Sequence, residues 1–149
     1  GALLIVHTED PFLGLYSFAN FGFKDGKLYE LVAVWSGEVE DIRGKCATFL
    51  SSAMKRHGKD YTRKSIRVFP NSKEERPVAV FYWEKDNVAS LAFFTPPPAD
   101  APSGPGTLTY AQFAKDSAFL QDIFVTTPTT EEQHDQAWKD MAGIVDALK

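Results

Sequence analysis

Cys46 and His57 are the first residues whose types could do chemistry, because a cysteine paired with a histidine can act as a nucleophile. They lie on the same face of a segment with helical periodicity. The rise of about 1.5 Å per residue separates them by about 16 Å, which is too far for a hydrogen bond. We therefore expect Cys46 to be a small buried hydrophobic residue. A single cysteine also excludes an internal disulfide and a thiolate metal cluster.

Glu131-x-x-His134 has the spacing that carboxylate-bridged metal bundles use. Those bundles need a second copy of the motif on a facing helix, and the sequence holds one copy. The neighbouring Glu132 and Asp135 favour a charged helix surface that faces solvent. No two histidines have the spacing of metal ligands, so we expect neither a metal nor a cofactor. His7, at the end of a predicted strand, has no assigned role.

Two similar stretches, Lys24-Asp25-Gly26 and Lys85-Asp86-Asn87, each lie between runs of aromatic and β-branched residues. A calcium loop needs oxygen ligands at alternating positions, on the pattern D-x-[DN]-x-[DN]-G, and neither stretch supplies them. Gly26 and Asn87 instead provide the positive φ of hairpin turns. For the first hairpin a two-residue turn and a bulged three-residue turn both fit, and they differ by one residue in register.

The sequence contains none of the common catalytic signatures, since G-x-S-x-G, G-x-x-x-x-G-K and G-x-G-x-x-G are all missing. An enzyme would therefore need acid and base groups that converge only in three dimensions. Glu30, Glu84 or His7 beside a Tyr or Trp could form such an arrangement. A small-ligand carrier would need a similar pocket. These absences favour a non-enzymatic binding function.

The chain of 149 residues, with 44% hydrophobic and 24% charged residues, is typical of a soluble globular domain. We predict a single domain over 1–149 with a proline-rich connection at 96–106. No stretch approaches the roughly 18 apolar residues that a membrane span needs. The chain begins Gly-Ala-Leu without Met, so we expect residues before it to have been removed, a signal peptide among the alternatives. The sequence leaves the localisation open and favours export to the periplasm or the outside.

Hydrophobic periodicity predicts an α+β fold. Residues 3–7 form a short strand that ends in a turn at Thr8–Pro11, and hairpins follow at 15–35 and 77–95. Between the hairpins lies an amphipathic helix that ends at Gly58, whose apolar stripe consists of Ile42, Cys46, Phe49, Leu50, Ala53 and Met54.

Two further helices are predicted in the C-terminal third. One starts at Tyr110 behind a capping box at Thr109-x-x-Gln112, with Phe113, Ala114 and Leu120 facing inward. The other starts at the box Thr129-x-x-Glu132, and its stripe consists of Trp138, Met141, Ala142, Val145 and Leu148. The predicted architecture is an antiparallel sheet from two β-hairpins flanking an amphipathic helix, with the C-terminal helices packed on the sheet.

Aromatic residues are the most suggestive feature for binding. Tyr82 and Trp83 are consecutive in a predicted strand and must point to opposite faces, as must Phe93 and Phe94. A sheet that is apolar on both faces must be covered on both, or must leave a patch for a partner. Both alternatives stay open, because the exposed face depends on the hairpin register. The candidate binding residues are Tyr16, Tyr29, Trp35, Tyr82 and Trp83.

Charge is unevenly distributed along the chain. The net charge is −4, which disfavours a general nucleic-acid binder, yet residues 55–76 hold eight Lys or Arg against three acidic residues. Those residues fit either a basic helix end that runs into a solvated loop or a patch for an anionic partner. The candidate residues are Lys55, Arg56, Lys59, Arg63, Lys64 and Arg67.

The run F-x-F-K-D-G-K-L-Y-E-L, the helix end R-H-G-K and the run V-F-Y-W-E carry a resemblance. Over roughly residues 16–95 the chain resembles small exported bacterial domains built as hairpin, helix and hairpin. The resemblance implies a binding role in the envelope or outside the cell rather than catalysis, and it implies no functional residues.

The favoured function is a non-enzymatic binding or inhibitor-like module of the bacterial cell envelope. It would engage a protein partner through the aromatic sheet face or the basic segment. The alternative is a small-ligand-binding protein or an enzyme whose site forms only in three dimensions. A third, weaker alternative is a nucleic acid or other polyanion bound by the basic segment, with an affinity that falls steeply with salt.

Overall fold

A computed structural model describes residues 3–10, 15–68, 76–97 and 101–148, without the side chains of 3–10, 15, 16, 121 and 126. The elements in chain order are β1 (Leu3–Asp10), β2 (Leu15–Lys24), β3 (Lys27–Glu38), α1 (Val39–His57), β4 (Thr62–Val68), β5 (Arg76–Lys85), β6 (Val88–Thr95), β7 (Pro105–Ala114), α2 (Ala118–Thr126), α3 (Glu131–Asp140) and α4 (Ala142–Ala147).

The described strands form one antiparallel sheet of seven strands in the order β1-β2-β3-β7-β6-β5-β4. The predicted fold class is confirmed, because two hairpins flank an amphipathic helix and short C-terminal helices pack on the sheet. The hairpins β2–β3 and β5–β6 are not neighbours, since β7 pairs with β3 on one side and with β6 on the other.

Both hairpin turns contain two residues. Lys24 pairs with Lys27 and Lys85 pairs with Val88, while both residues inside each turn have positive φ, between 50° and 75°. These values define type I′ turns, which match the twist of the flanking strands. The predicted turns are therefore confirmed. Of the two turns that fit the first hairpin, the structure has the two-residue turn. A separate shift in strand register lies between Gly22 and Phe23.

Helix α1 has the predicted stripe, with Ile42, Cys46, Phe49, Leu50 and Ala53 buried. Acidic residues lie in its first turn and basic residues in its last, as the helix dipole favours. Gly58 has a φ of 99°, and its N–H donates to the carbonyl of Met54. Burial raises the pKa of the Cys46 thiol to about 12. Cys46 is therefore the small buried hydrophobic residue that the sequence predicted.

Two hydrophobic cores lie on opposite faces of β4–β7. On one face α1, α3 and α4 pack over Phe81, Trp83 and Leu108. On the other face α2 packs over Val80, Leu91 and other apolar residues. Aromatic rings hold the first core together, because the ring of Tyr61 lies 4.6 Å from Phe81 and 6.0 Å from Trp138, centroid to centroid. Each such pair contributes about 0.5–1.5 kcal/mol beyond burial of its area.

The helix predicted to start at Tyr110 is wrong, because residues 105–114 form strand β7. The spacing of Phe113 and Ala114 fits either a helix or a strand that is apolar on both faces. The segment forms a strand because it pairs with β3 and β6 and because both of its faces are covered. The helix, α2, starts only at Ala118, where Ser117 is its N-cap and Leu120 is buried as expected.

Four further features also differ from the sequence prediction. Thr62–Val68 is a strand rather than a solvated loop, because it pairs with β5 along its whole length. Thr8–Asp10 continue β1 instead of forming a turn. The last capping box is Thr130 with Gln133, and the predicted single helix divides at Met141 into α3 and α4. Of the predicted stripe, Ala142 is exposed.

Replacing Gly44 tests the position of this residue on the exposed side of α1. It is exposed in mid-helix, and a β-carbon added there would meet nothing within 4 Å. We expect Gly44→Ala to raise the free energy of unfolding by about 0.5–1 kcal/mol, because Ala loses less backbone entropy on folding. Urea denaturation would measure it. Gly58→Ala is the matched control and should be destabilising, since its φ of 99° strains an L side chain. Unchanged or lowered stability of Gly44→Ala would contradict the placement.

Candidate functional site

Helices cover only part of the sheet. Helix α1 packs over β3, β6 and β7, α2 contacts β4, and α3 packs over β4 and β5. Within the described residues no helix packs extensively on β1 or β2. We call these two strands, together with the neighbouring β3, the β1–β3 region.

Strands β2 and β3 carry apolar residues on both faces. Pairing of β3 with β7 sets the faces, because Ala33 opposes Tyr110 of the α1 side and Val32 opposes Ala111 of the α2 side. Every residue of β2 and β3 from position 18 to 23 and from 29 to 37 is half-buried rather than buried. The apolar residues on the α1 side include Ala19, Phe21, Leu31, Ala33 and Trp35, and those on the α2 side include Phe18, Val32 and Val34.

The two edge strands of the described sheet, β1 and β4, differ in protection. On β4, Lys64 accepts a hydrogen bond through its carbonyl from Trp138 Nε1 at 3.0 Å, and the N–H of Arg67 donates to Thr127 at 3.1 Å. Arg63 and Lys64 also add charges, which disfavour pairing with another chain. Strand β1 begins with four consecutive apolar residues and pairs only with β2 in the described sheet.

The five candidate aromatic residues do not form one surface. Tyr82 and Trp83 are buried on opposite faces, 7% and 6% exposed, so neither belongs to an exposed aromatic face. Trp83 Nε1 instead donates to the carbonyl of Gly58 at 2.9 Å. Trp35 is half-buried against Phe49, and Tyr29 lies under the ammonium of Lys24. The side chain of Tyr16 is outside the described residues. Register alone could not predict this burial, which the helices cause.

The candidate basic residues are also divided. Lys55 and Arg56 end α1, Lys59 follows it, and the other three belong to β4. Arg63 stacks on Trp138, whereas Lys64 lies over Tyr82 and Phe124 on the opposite face. Alternation along β4 therefore places Arg63 and Lys64 on opposite faces of the sheet, so these two residues do not share a surface.

A polar cluster that the sequence did not predict lies at the end of α1. Tyr110 Oη is 2.6 Å from Nε2 of His57 and accepts a hydrogen bond from Gln112 at 2.7 Å. Burial, and then the charge of Arg56, lower the pKa of His57. Burial raises the pKa of Tyr110. The neutral imidazole and the protonated phenol satisfy each other's hydrogen-bonding groups beside the ring of Trp83. This arrangement is consistent with a role in packing. No sequence motif links residues 57 and 110.

A second buried cluster joins β4 to α3. Ser65 Oγ lies 2.6 Å from Thr129 Oγ1 and 2.8 Å from His134 Nδ1. Ser65 is 8% exposed, so its hydroxyl is enclosed by the residues that it bonds. His134 therefore faces the sheet and not solvent, which corrects its assignment to a charged helix surface. The contact fixes α3 on the edge strand.

The acidic residues considered for catalysis serve as links between elements. Glu30 accepts a hydrogen bond from Ser117 at 2.8 Å, which ties β3 to the start of α2. Glu84 accepts one from Tyr82 and pairs with Lys115 at 3.3 Å, and these two contacts lower the pKa of its exposed carboxyl. The side chain of His7 is outside the described residues. In the part of the chain that is described, no three His, Cys, Asp or Glu side chains converge to hold a metal ion.

Comparison with known proteins gives no relative. No protein-family model matches the chain, and no curated protein or solved structure matches it. None of the helices in the described residues is long and apolar enough to cross a membrane. The function is therefore argued from the geometry of the described residues.

The lowered pKa of His57 predicts a pH dependence of stability. The unfolded chain, with a pKa near 6.5, binds this proton more readily than the folded chain. The free energy of unfolding should therefore fall as the pH drops from about 7 to about 5. His57→Gln should lose less stability over that interval. Denaturant titrations of both proteins at each pH would measure the difference.

Glu84 interferes little with this measurement, because the pKa of its carboxyl is lowered, away from the interval between pH 7 and 5, and both proteins carry it. Equal losses of stability for the wild type and His57→Gln would show that His57 is solvated in the folded protein.

Proposed function

We propose that the chain is a non-enzymatic binding module that engages a protein partner at the β1–β3 region, where an extended segment of the partner pairs with β1. The observation that carries the proposal is the difference between the two halves of the sheet. Helices cover β4–β7 on both faces, and α1 reaches β3, while the half-buried apolar residues of β2 have no extensive helix cover within the described residues.

A strand that joins β1 would bury surface that is costly to leave in water. Apolar burial contributes about 25 cal/mol per Å². An added strand would extend both apolar faces, and its backbone would satisfy the outward amide and carbonyl groups of β1. Recognition by strand addition draws affinity from these main-chain hydrogen bonds and specificity from alternate side chains. The outward backbone groups of β4 already bond to Trp138 and Thr127, so β1 is the edge at which we expect a partner strand to pair.

The chemistry of β1 defines the partner segment. Leu3, Leu4, Ile5 and Val6 favour apolar residues on both faces of the incoming strand, and Glu9 with Asp10 favours a Lys or Arg at that end. The bacterial envelope as the setting of this interaction follows from the resemblance described above. The polar clusters around His57 and Ser65 support a non-enzymatic role, because their members bond to one another in packing positions.

Two neighbouring proline variants, Ile5→Pro and Val6→Pro, test this docking edge. Successive residues of an antiparallel strand direct their N–H groups alternately toward and away from the partner strand. One variant should lose the pairing with β2, and the other should fold normally but lack one outward N–H, as edge strands tolerate. Peptides of about ten residues, selected from a displayed library on the wild type, should be apolar with one basic end. They should not bind the folded variant.

The matched control is a proline variant on the other edge strand, β4. Of Arg63→Pro and Lys64→Pro, the variant that still folds should bind the selected peptides like the wild type. Peptides that bind the folded β1 variant equally well would refute pairing at β1, as would a library from which no β1-dependent peptide is enriched. A concentration-dependent dimer that the same β1 proline abolishes would make a second copy the occupant and would overturn the separate partner.

A further inference from the structure

A groove on the covered half of the sheet is separate from β1. It lies between α1 and the pair α3–α4, has a volume of about 670 Å³, and is within the range of about 300–1,000 Å³ that small-molecule sites occupy. Ala79 of β5 and Phe94 of β6 line it from the sheet. Ala137, Met141 and Ile144 line it from the helices.

Two arginines line both the groove and a neighbouring depression. Arg43 comes from α1 and Arg76 from the start of β5, and both also line an adjoining depression of about 250 Å³ next to Pro96. The Cζ atom of Arg43 lies 5.9 Å from the ring centroid of Phe94, which holds the charge over the apolar lining. Neither arginine has an ion-pair partner in the described part of the chain.

Among the residues that the structure describes, the acidic groups nearby do not neutralise both arginines. Asp140, which also lines the groove, accepts a hydrogen bond from Gln136 at 2.7 Å. Glu40 lines the adjoining depression and not the main groove. As far as the described lining goes, the main groove thus combines apolar walls with two cations and one acid that already has a partner. Guanidinium groups bind carboxylates through paired, charge-assisted hydrogen bonds.

We propose that this groove binds a small amphipathic carboxylate, with its alkyl body between Met141, Ile144 and Phe94 and its carboxylate at Arg43 and Arg76. The apolar walls alone would accept a neutral alkane, and the arginines alone would attract any anion. Their combination selects a molecule that carries both parts. The site does not depend on strand addition at β1, because its lining comes from β5, β6 and the helices.

Three probes that differ in alkyl body and charge separate the contributions of the apolar walls and the arginines to binding. Decanoate carries both parts, 1-decanol carries the alkyl body without the charge, and acetate carries the charge without the body. Each would be titrated below its micelle or solubility limit, with methyl NMR shifts as the readout. We expect saturable decanoate binding with shifts at Ala137, Met141 and Ile144, 1-decanol at least about tenfold weaker, and acetate without saturation.

The variant Arg43→Gln/Arg76→Gln should weaken decanoate binding by about tenfold or more. Arg43 is exposed and Arg76 is half-buried, so neither replacement disturbs the core. The control Lys55→Gln/Lys59→Gln removes the same charge from exposed positions outside the groove and should bind decanoate like the wild type. No saturable decanoate binding, equal binding to the Arg43→Gln/Arg76→Gln variant, or shifts at Val32 and Val34 instead of the groove would each overturn the inference.

Discussion

Both faces of the sheet are apolar, and the rest of the structure depends on how each face is kept from water. The four described helices provide two layers, with α1, α3 and α4 on one face and α2 on the other. These layers bury β4–β7 and stop near β3. Central strands such as β5 can therefore be apolar at consecutive positions, from Val78 to Trp83. The same composition in β2 and β3 leaves half-buried apolar side chains.

The smaller helices are held in place by contacts of their side chains with the sheet, rather than by helix propensity. Trp138 packs against Phe81 and also donates to the backbone of β4, so that one residue fills the core and secures an edge strand. Ser65 and His134 add a second link between the same two elements. Ser117 caps α2 and bonds Glu30 of β3. These contacts explain why polar residues occur at buried positions without a catalytic arrangement.

The sequence predicts elements whose signal is local. The turns at Asp25-Gly26 and Asp86-Asn87 and the stripe of α1 follow from residue types alone, and the structure confirms them. Strand β7 could not be predicted from local pattern, because its apolar residues match a helix until two neighbouring strands are considered. Strand β4 was missed because its charged edge resembles a solvated loop.

Site residues were harder to predict than the fold. Tyr82 and Trp83 are conspicuous in sequence, but helices bury them. Arg43 and Arg76 belong to different elements, α1 and β5, and only the packing of the helices on the sheet brings them to one groove. The half-buried state of Leu31 and Val34 likewise follows from where the helices stop. Such features depend on contacts between distant segments, which periodicity does not encode.

Solvent exposure of the β1–β3 region is the central claim, and methyl NMR with a soluble paramagnetic probe measures it most directly in the whole chain. Leu31 and Val34 are half-buried, whereas Val80 and Leu91 are 0% exposed. The structure predicts strong paramagnetic broadening of the Leu31 and Val34 methyl signals and little broadening of the Val80 and Leu91 signals. Equal protection of all four would show that another part of the chain covers the β1–β3 region, which would contradict an open docking surface.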